Sequence, residues 1–233
     1  KFLWLGEIHK EALAILKYGI FGNGGFLVFV GDVGTGKTTL LNGLIESLDE
    51  NTAVATIHDP RLEKLDFYNF LANTFKLDKK FSNKGDFLVH FIHFLHRAYA
   101  ENKKVLLIID EAQRLTNEML EDLRLLSNIE KRGERLLNIV LFGQNELNEI
   151  LAEKNNRALL QKITVRYSIG PLKDNEVWDY IKFRLSIAGT TKNIFNSGAI
   201  REIISFSKCN PRMINNICDH ALLAGYFNGI NKI

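Results

Sequence analysis

The sequence has 233 residues, which is enough for one large α/β domain and a small second domain. With 46% hydrophobic residues, 24% charged residues and only three prolines, its composition excludes a disordered or low-complexity protein. The net charge of +3 is too small to indicate nucleic-acid binding by itself, and two cysteines are too few for a disulfide framework. No apolar run approaches the roughly 18 residues of a membrane-spanning helix.

Five short segments are predicted to be β-strands, and helical patterns of ten or more residues lie between them. The segments are 26–30, 53–57, 105–109, 139–142 and 163–169. Because strand and helix alternate, the sheet should be parallel, with helices on its faces. The segment 86–101 places aromatic residues at helical spacing, and Thr116 is a suitable N-cap for the helix that follows it.

The strands stop at Gly170 and Pro171, and three helical patterns follow, at 174–188, 197–207 and 211–227. Proline at position 211 suits the first turn of the last helix. The C-terminal part of the chain is therefore predicted to be a small all-helical domain.

A glycine-rich segment at residues 31–38 reads Gly-Asp-Val-Gly-Thr-Gly-Lys-Thr and directly follows the first predicted strand. Gly31, Gly34 and Gly36 allow the backbone amides to turn inward around a phosphate chain, at the positive end of the next helix. This spacing, after a strand and before a helix, is typical of the P-loop of nucleotide-binding proteins.

Lys37 is predicted to contact the β- and γ-phosphates of ATP, and the Thr38 hydroxyl to ligate Mg²⁺. The phosphate contact needs a mobile cation, and the Mg²⁺ contact needs a hydroxyl at the start of the helix. The sequence has both at these positions. The other predicted nucleotide-binding residues of this segment are Asp32, Val33, Gly34, Thr35, Gly36 and Thr39.

The third apolar run ends in Asp110 and Glu111. A buried strand ending in two acids can deliver one carboxylate to Mg²⁺ and the next to an attacking water. We therefore expect Asp110 to be a metal ligand and Glu111 to be the catalytic base. The pair favours ATP hydrolysis over phosphoryl transfer to a metabolite.

Two further polar residues are candidates for contacts with the γ-phosphate. Gln144 follows the run 139–142, which would lie beside the Asp110 strand in the usual strand order, although a solvent-facing amide is the alternative. Arg212 lies in the first turn of the last predicted helix. It would link nucleotide state to movement of the helical domain, or else face solvent or neutralise an acid.

These features predict an α/β P-loop module with a parallel five-stranded sheet flanked by helices and a small helical lid. The predicted domains are an N-terminal linker or helix at 1–25, a P-loop ATPase domain at 26–170 and the lid at 171–233.

For two clusters, one of histidines and one of charged residues, the expected role is structural. His90, His93 and His96 recur on one predicted helix without accompanying cysteines or carboxylates, so we expect polar or half-buried histidines and no metal other than Mg²⁺. The charged segment 130–135 is predicted to be a solvated loop, with a contact to a protein partner or nucleic acid as the alternative.

Several stretches together resemble one family. They include 9–20, 110–115 (Asp-Glu-Ala-Gln-Arg-Leu), 123–130, 142–147 (Phe-Gly-Gln-Asn-Glu-Leu), 163–167 (Ile-Thr-Val-Arg-Tyr) and 210–215 (Asn-Pro-Arg-Met-Ile-Asn). The last three are far less generic than a P-loop. The chain is similar nearly end to end to the ATPase module of AAA+ ATPases of the general secretion pathway protein A (ExeA-like) type.

The resemblance implies ATP hydrolysis that depends on oligomerisation. It also implies that Tyr18, Gly19 and Ile20 line the adenine pocket, that Gln144 occupies the sensor 1 position and that Arg212 occupies the sensor 2 position. Members of the family often continue into a membrane segment and a periplasmic peptidoglycan-binding domain.

The chain departs from the family where an arginine commonly precedes the stretch 163–167, because Lys162 stands there. Arg157 and Arg166 are the other candidates for an arginine finger acting on a neighbouring subunit. Lysine lacks the planar fork that stabilises spread phosphoryl charge. Since such a finger contributes roughly 10³- to 10⁵-fold in rate, an isolated subunit is expected to hydrolyse ATP slowly.

The expected function is an ATP-hydrolysing motor or switch that forms a ring or filament and drives assembly of a secretion or envelope complex. Its expected partners are ATP, further copies of the chain and a protein of that complex. One alternative is a DNA-associated AAA+ ATPase of the transposition or replication type, and another is a non-enzymatic ATP-binding scaffold. We expect a cytoplasmic location, with association to the inner membrane through parts outside this sequence.

Overall fold

The computed structural model describes residues 4–22, 24–230 and 232–233. The strands are β1 (Phe26–Val30), β2 (Thr52–Ile57), β3 (Lys104–Ile109), β4 (Glu130–Lys131), β5 (Glu134–Arg135), β6 (Asn138–Gly143) and β7 (Ile163–Ser168). The helices are α1 (Glu7–Phe21), α2 (Lys37–Ser47), α3 (Lys64–Thr74), α4 (Lys84–Ala100), α5 (Asn117–Leu126), α6 (Glu146–Ala152), α7 (Arg157–Leu160), α8 (Asp174–Ile187), α9 (Ser197–Ser207) and α10 (Pro211–Phe227). Across these described ranges, no helix combines the length and apolarity needed to cross a membrane.

Five strands form one sheet in the order β2-β3-β6-β1-β7, and every neighbouring pair is parallel. The five predicted strands and the parallel sheet are confirmed. The predicted and observed strand ends differ by no more than one residue. The interior strand β1, which lies between β6 and β7, is buried along its whole length, whereas β7 alternates between half-buried and exposed residues at the edge of the sheet. The carboxyl ends of β1, β3 and β6 therefore meet at one edge.

The helices on the sheet bury aromatic side chains. In α4, Phe87 and Phe91 are fully buried, and their ring centroids lie 5.2 Å apart. The next helix, α5, begins where Thr116 accepts a hydrogen bond from the backbone N–H of Met119 at 3.2 Å, which confirms the predicted cap. This packing holds β3 in the middle of the core.

The charged segment 130–135, predicted to be a solvated loop, is a hairpin formed by β4 and β5 whose residues are exposed or half-buried. The reason is the turn, in which Arg132 and Gly133 both have positive φ, of 54° and 80°. Two left-handed residues in succession reverse the chain with the twist that a two-residue hairpin needs.

The chain divides into two compact units. One comprises Leu13–Gly31 and Leu44–Ser168, with the sheet as its core. The other comprises Asp32–Gly43, Ile169–Ile233 and the described part of Lys1–Ala12. The phosphate loop thus belongs to the same compact unit as the C-terminal helices, and the domain boundaries at residues 25 and 170 stay predictions.

The three predicted C-terminal helices are confirmed as α8, α9 and α10. They pack around a core that includes Val177, Phe195 and Ile214. The N-cap of α10 is Asn210, whose side chain accepts from the backbone N–H groups of Arg212 and Met213 at 3.0 and 3.3 Å. Pro211 occupies the first turn, where its missing N–H costs nothing.

Candidate nucleotide site

The phosphate loop needs glycine at two positions. Gly34 and Gly36 have φ of 85° and 100°, in the left-handed region that other residues rarely adopt. A Cβ on Gly34 would also lie 2.6 Å from the Cβ of Arg212, and one on Gly36 would lie 2.5 Å from Nε2 of His9. Close packing and backbone conformation therefore both exclude side chains here.

Hydrogen bonds within the loop converge on the carbonyl oxygen of Asp32. The backbone N–H and the hydroxyl of Thr35 donate to it at 3.3 and 2.9 Å, and Nζ of Lys37 donates to it at 2.9 Å. Lys37 is only 8% exposed, so its ammonium group lies within the loop. The predicted Mg²⁺ ligand Thr38 is exposed, and Thr39 is half-buried in the first turn of α2.

Three residues distant in sequence hold the loop from outside. Nδ2 of Asn210 donates to the carbonyl of Val33 at 2.9 Å, and the backbone N–H of Arg212 donates to the carbonyl of Gly34 at 3.4 Å. Nε2 of His9 lies 2.8 Å from the carbonyl oxygen of Thr35. The start of α10 therefore contacts the loop, and the backbone of Arg212 is anchored there while its side chain is exposed.

The acidic pair lies at the carboxyl end of β3. Asp110 is 5% exposed, and its Oδ1 accepts from the backbone N–H of Glu111 at 2.9 Å. Glu111 has φ of 52° and ψ of 36°, a left-handed conformation that is uncommon for a residue with a side chain. The chain thus turns sharply between the two acids and enters a 3-10 turn at Ala112–Arg114.

Donors from two elements surround the carboxylate of Glu111. Nε2 of Gln113 donates to its Oε2 at 2.6 Å, and Nε2 of Gln144 donates to the same oxygen at 3.3 Å. Nε of Arg114 lies 3.9 Å from that oxygen. The sequence predicted that Gln144 lies beside the Asp110 strand. This is confirmed, because Gln144 directly follows β6 and β6 pairs with β3.

Arg114 connects this cluster to an exposed ion pair. Its Nη1 lies 3.3 Å from Oδ2 of Asp59, which follows β2. Arg61 donates to the same carboxylate through two nitrogens, and these hydrogen bonds lower the pKa of Asp59 to about 2. Asp59 is therefore ionised throughout the physiological range, and Arg114 lies closer to it, at 3.3 Å, than to Glu111, at 3.9 Å.

The residues predicted to line an adenine pocket lie on α1 with different exposures. Tyr18 is 81% exposed, whereas Gly19 and Ile20 are buried. A Cβ on Gly19 would lie 2.4 Å from Cδ2 of Leu27, so α1 packs directly on β1 at this glycine. Their role in adenine binding stays a prediction.

The finger candidates lie before and within β7. Arg157 begins α7 and is exposed, and Lys162 is half-buried just before the strand. Arg166 is exposed, and its guanidinium donates to Oδ1 of Asn148 at 2.6 Å. All three cations therefore lie on the same compact unit, and the choice among them stays a prediction.

His90 of α4 contacts other protein groups. Nδ1 of His90 lies 2.9 Å from the carbonyl oxygen of Asp86, and its ring packs on Phe81 with centroids 5.3 Å apart. In the part of the chain that the structure describes, no three His, Cys, Asp or Glu residues are grouped closely enough to hold a metal ion.

Sequence reasoning missed Gln113, His9 and the loop contact of Asn210. Gln113 lies two residues after Glu111. This spacing indicates that the two residues are close, but not that their side chains face each other. Asn210 before Pro211 signals a helix cap, although its second contact depends on tertiary packing. A lone histidine on α1 carries no signal for its partner.

The comparisons with known proteins agree with this geometry. A family model described as an AAA domain matches residues 22–151, which is more than half of the chain. The chain belongs to this AAA domain family. General secretion pathway protein A of Aeromonas hydrophila is 40% identical over 235 residues, covering all of this chain and 43% of that protein. The resemblance to AAA+ ATPases of the secretion pathway protein A type is confirmed, and the chain spans less than half the length of this relative.

Solved AAA+ structures share the fold at low identity. Cdc6p of Pyrobaculum aerophilum superposes with a TM-score of 0.68 at 16% identity, over 97% of this chain and 64% of that one. Domain III of the replication initiation protein DnaA of Thermotoga maritima gives 0.59 at 17% identity, over 98% and 88%. These likenesses support the P-loop AAA+ fold and say nothing of the function.

ATP and Mg²⁺ fit the residues present. The left-handed backbone at Gly34 and Gly36 gives the glycine-rich loop the conformation that phosphate binding needs, and Lys37 holds its ammonium group against the Asp32 carbonyl within that loop. Asp110 and Thr38 offer the oxygen atoms that Mg²⁺ prefers. AAA domains are nucleotide-binding modules, and this chain keeps the residue types that such binding needs.

Proposed function

We propose that this AAA+ protein hydrolyses ATP to ADP and phosphate. The observation that carries the proposal is the carboxylate of Glu111, which follows the buried Asp110 and is contacted by Gln113 and Gln144. Two amide donors from different parts of the chain on one oxygen fix the direction of this carboxylate, which suits a base that must be aimed at a water.

The phosphate loop supplies the binding. Lys37 would exchange its hydrogen bond to Asp32 for the β- and γ-phosphates, and the backbone amides around Gly34 and Gly36 would donate to phosphate oxygens. Bound Mg²⁺, held by Thr38 and Asp110, would neutralise charge on the phosphates. Arg212, anchored by its backbone to Gly34, would direct its guanidinium to the γ-phosphate.

The acidic pair supplies the chemistry. The carboxylate of Glu111 would accept a proton from the attacking water, and the amide of Gln144 would hold either the water or a phosphate oxygen. Gln144 already donates to Glu111, so the two groups would act on the same water. Tyr18, Gly19 and Ile20 would contact the adenine.

We further propose that the protein acts as a homo-oligomer that drives assembly of a secretion or envelope complex. The support is the 40% identity to general secretion pathway protein A. Arg157, Lys162 or Arg166 of one subunit would complete the site of its neighbour. In this proposal the ATPase works in the cytoplasm, next to the inner membrane, and its partner is a protein.

Phosphate release by the purified protein tests the proposal. We expect ATP turnover that rises with protein concentration, because subunits complete one another, and that is indifferent to DNA. Stimulation by DNA that disappears at high salt would instead assign the protein to DNA-associated ATPases. Absence of turnover at every concentration, with ATP still bound, would leave an ATP-binding scaffold. Glu146→Gln neutralises an exposed acid of α6 and is the matched control for neutralising Glu111.

A further inference from the structure

Gln113 contacts two parts of the proposed active site at once. Its Nε2 lies 2.6 Å from Oε2 of Glu111, and its Oε1 lies 3.0 Å from the backbone nitrogen of Gln144. The first contact reaches the proposed base, and the second reaches the end of the neighbouring strand β6. One side chain thus joins β3 to β6 at the edge where their carboxyl ends meet.

The direction of the Gln113 amide follows from chemistry. A backbone N–H can only donate, so the amide oxygen of Gln113 must face Gln144. The NH₂ group must then face Glu111, where a carboxylate oxygen can only accept. The two contacts are therefore compatible with one amide orientation, and the flipped orientation would lose both.

The backbone is shaped to admit this side chain. Gly143, the last residue of β6, has no side chain, and a Cβ there would lie 3.2 Å from Oε1 of Gln113 and 2.8 Å from Cδ2 of Leu147. Glu111 is also left-handed, which turns its side chain towards the 3-10 turn that carries Gln113. The missing side chain of Gly143 and the left-handed backbone of Glu111 thus accompany one amide.

The contacts to Glu111 also distinguish its two oxygens. Among the described residues, Gln113, Gln144 and Arg114 all approach Oε2, at 2.6, 3.3 and 3.9 Å. Holding one oxygen from several directions orients the second. Oε1 is the oxygen left to accept a proton from water.

We propose that Gln113 is a positioning residue that holds Oε2 of Glu111 and thereby aims Oε1 at the attacking water. The inference rests on the proposed ATP hydrolysis. Gln113 would affect the chemical step and leave ATP binding unchanged, because both of its contacts lie on the base and on β6. A misplacement of about 1 Å in a catalytic group can cost about 100-fold in rate.

Two substitutions separate the donor from the acceptor. Gln113→Glu keeps an oxygen for the N–H of Gln144 but replaces the donor to Glu111 with a like charge. Gln113→Met keeps the length and removes both hydrogen bonds. Gln161→Met, at an exposed glutamine after α7, is the matched control. We expect kcat to fall between about 10-fold and about 100-fold in both Gln113 variants, with KM for ATP within about threefold of the wild-type value.

The measurements are steady-state ATP turnover, binding of a fluorescent ATP analogue, and thermal unfolding of each variant. Wild-type kcat in Gln113→Glu would overturn the inference, because the donor would then be dispensable. Equal losses of binding and turnover in Gln113→Met would also overturn it, in favour of a purely structural tether. If the wild-type protein itself fails to hydrolyse ATP, the proposed function fails first and the inference falls with it.

Discussion

Nε2 of His9 lies 2.8 Å from the carbonyl oxygen of Thr35, and the imidazole ring packs where Gly36 has no side chain. A carbonyl only accepts, so Nε2 must carry the proton and donate. His9 is 3% exposed, which makes this contact a buried one. The first turn of α1 therefore braces the phosphate loop at the residue before Gly36.

We expect His9→Phe to weaken ATP binding while the protein stays folded. The phenyl ring fills much of the same space but leaves the buried Thr35 carbonyl without its donor, at a cost of about 1–3 kcal/mol. Where that cost falls on the ATP-binding form of the loop, affinity drops by roughly 5-fold to 150-fold. Titration with a fluorescent ATP analogue measures it, and unchanged affinity would mean that the contact is incidental to the loop.

Glu111→Gln and Lys37→Ala should separate hydrolysis from binding. Glutamine cannot accept the proton of the water as a carboxylate can, so Glu111→Gln should lower turnover by about 100-fold or more and retain ATP. Lys37→Ala removes the ammonium group of the loop and should lose ATP binding. Isothermal titration with a phosphate-release assay distinguishes the two. Similar loss of binding in both variants would contradict the assigned roles, and Lys192→Ala, at an exposed lysine, is the control.

Arg212→Ala should reduce turnover without releasing α10 from the loop. The contacts to Gly34 and Asn210 are made by the backbone of Arg212, so the substitution removes only the exposed guanidinium. A hydrogen bond to a charged group contributes about 1.5–3 kcal/mol, or roughly 10-fold to 150-fold in rate. Arg212→Lys should restore turnover in part, because lysine keeps the charge but not the planar fork. Wild-type turnover in Arg212→Ala, with Arg201→Ala as the control, would exclude a sensor role.

The two cysteines should resist alkylation in the folded protein. Both thiols have a pKa raised to about 12, chiefly by burial, and at Cys209 the hydrogen bond to Oδ1 of Asp174 contributes to that rise. At pH 8 the thiolate fraction is then about a thousandfold below that of an ordinary cysteine, since the thiolate is the reactive form. Mass spectrometry after iodoacetamide treatment, with and without urea, measures the difference. Rapid labelling of the native protein would show that the helical core opens readily.

The local features of this protein were determined by the sequence alone. The predicted runs matched all five parallel strands, and β1, β3 and β6 were recognisable because a buried parallel strand is apolar along nearly its whole length. Thr116 and the Asn210-Pro211 pair predicted helix starts, because caps depend on neighbouring residues only. The glycine pattern around Lys37 predicted the phosphate loop for the same reason.

Only the tertiary structure decided which residues distant in sequence contact one another. Gln113 meets Gln144 across 31 residues of chain, and His9 meets Thr35 across 26. Such contacts depend on strand order and helix packing, which no local pattern encodes. The hairpin at 130–135 was missed because Arg132 adopts a conformation usually left to glycine or asparagine. The sequence by itself thus determined that this protein has a nucleotide loop and an acid pair, and the packing decided how the acid is held.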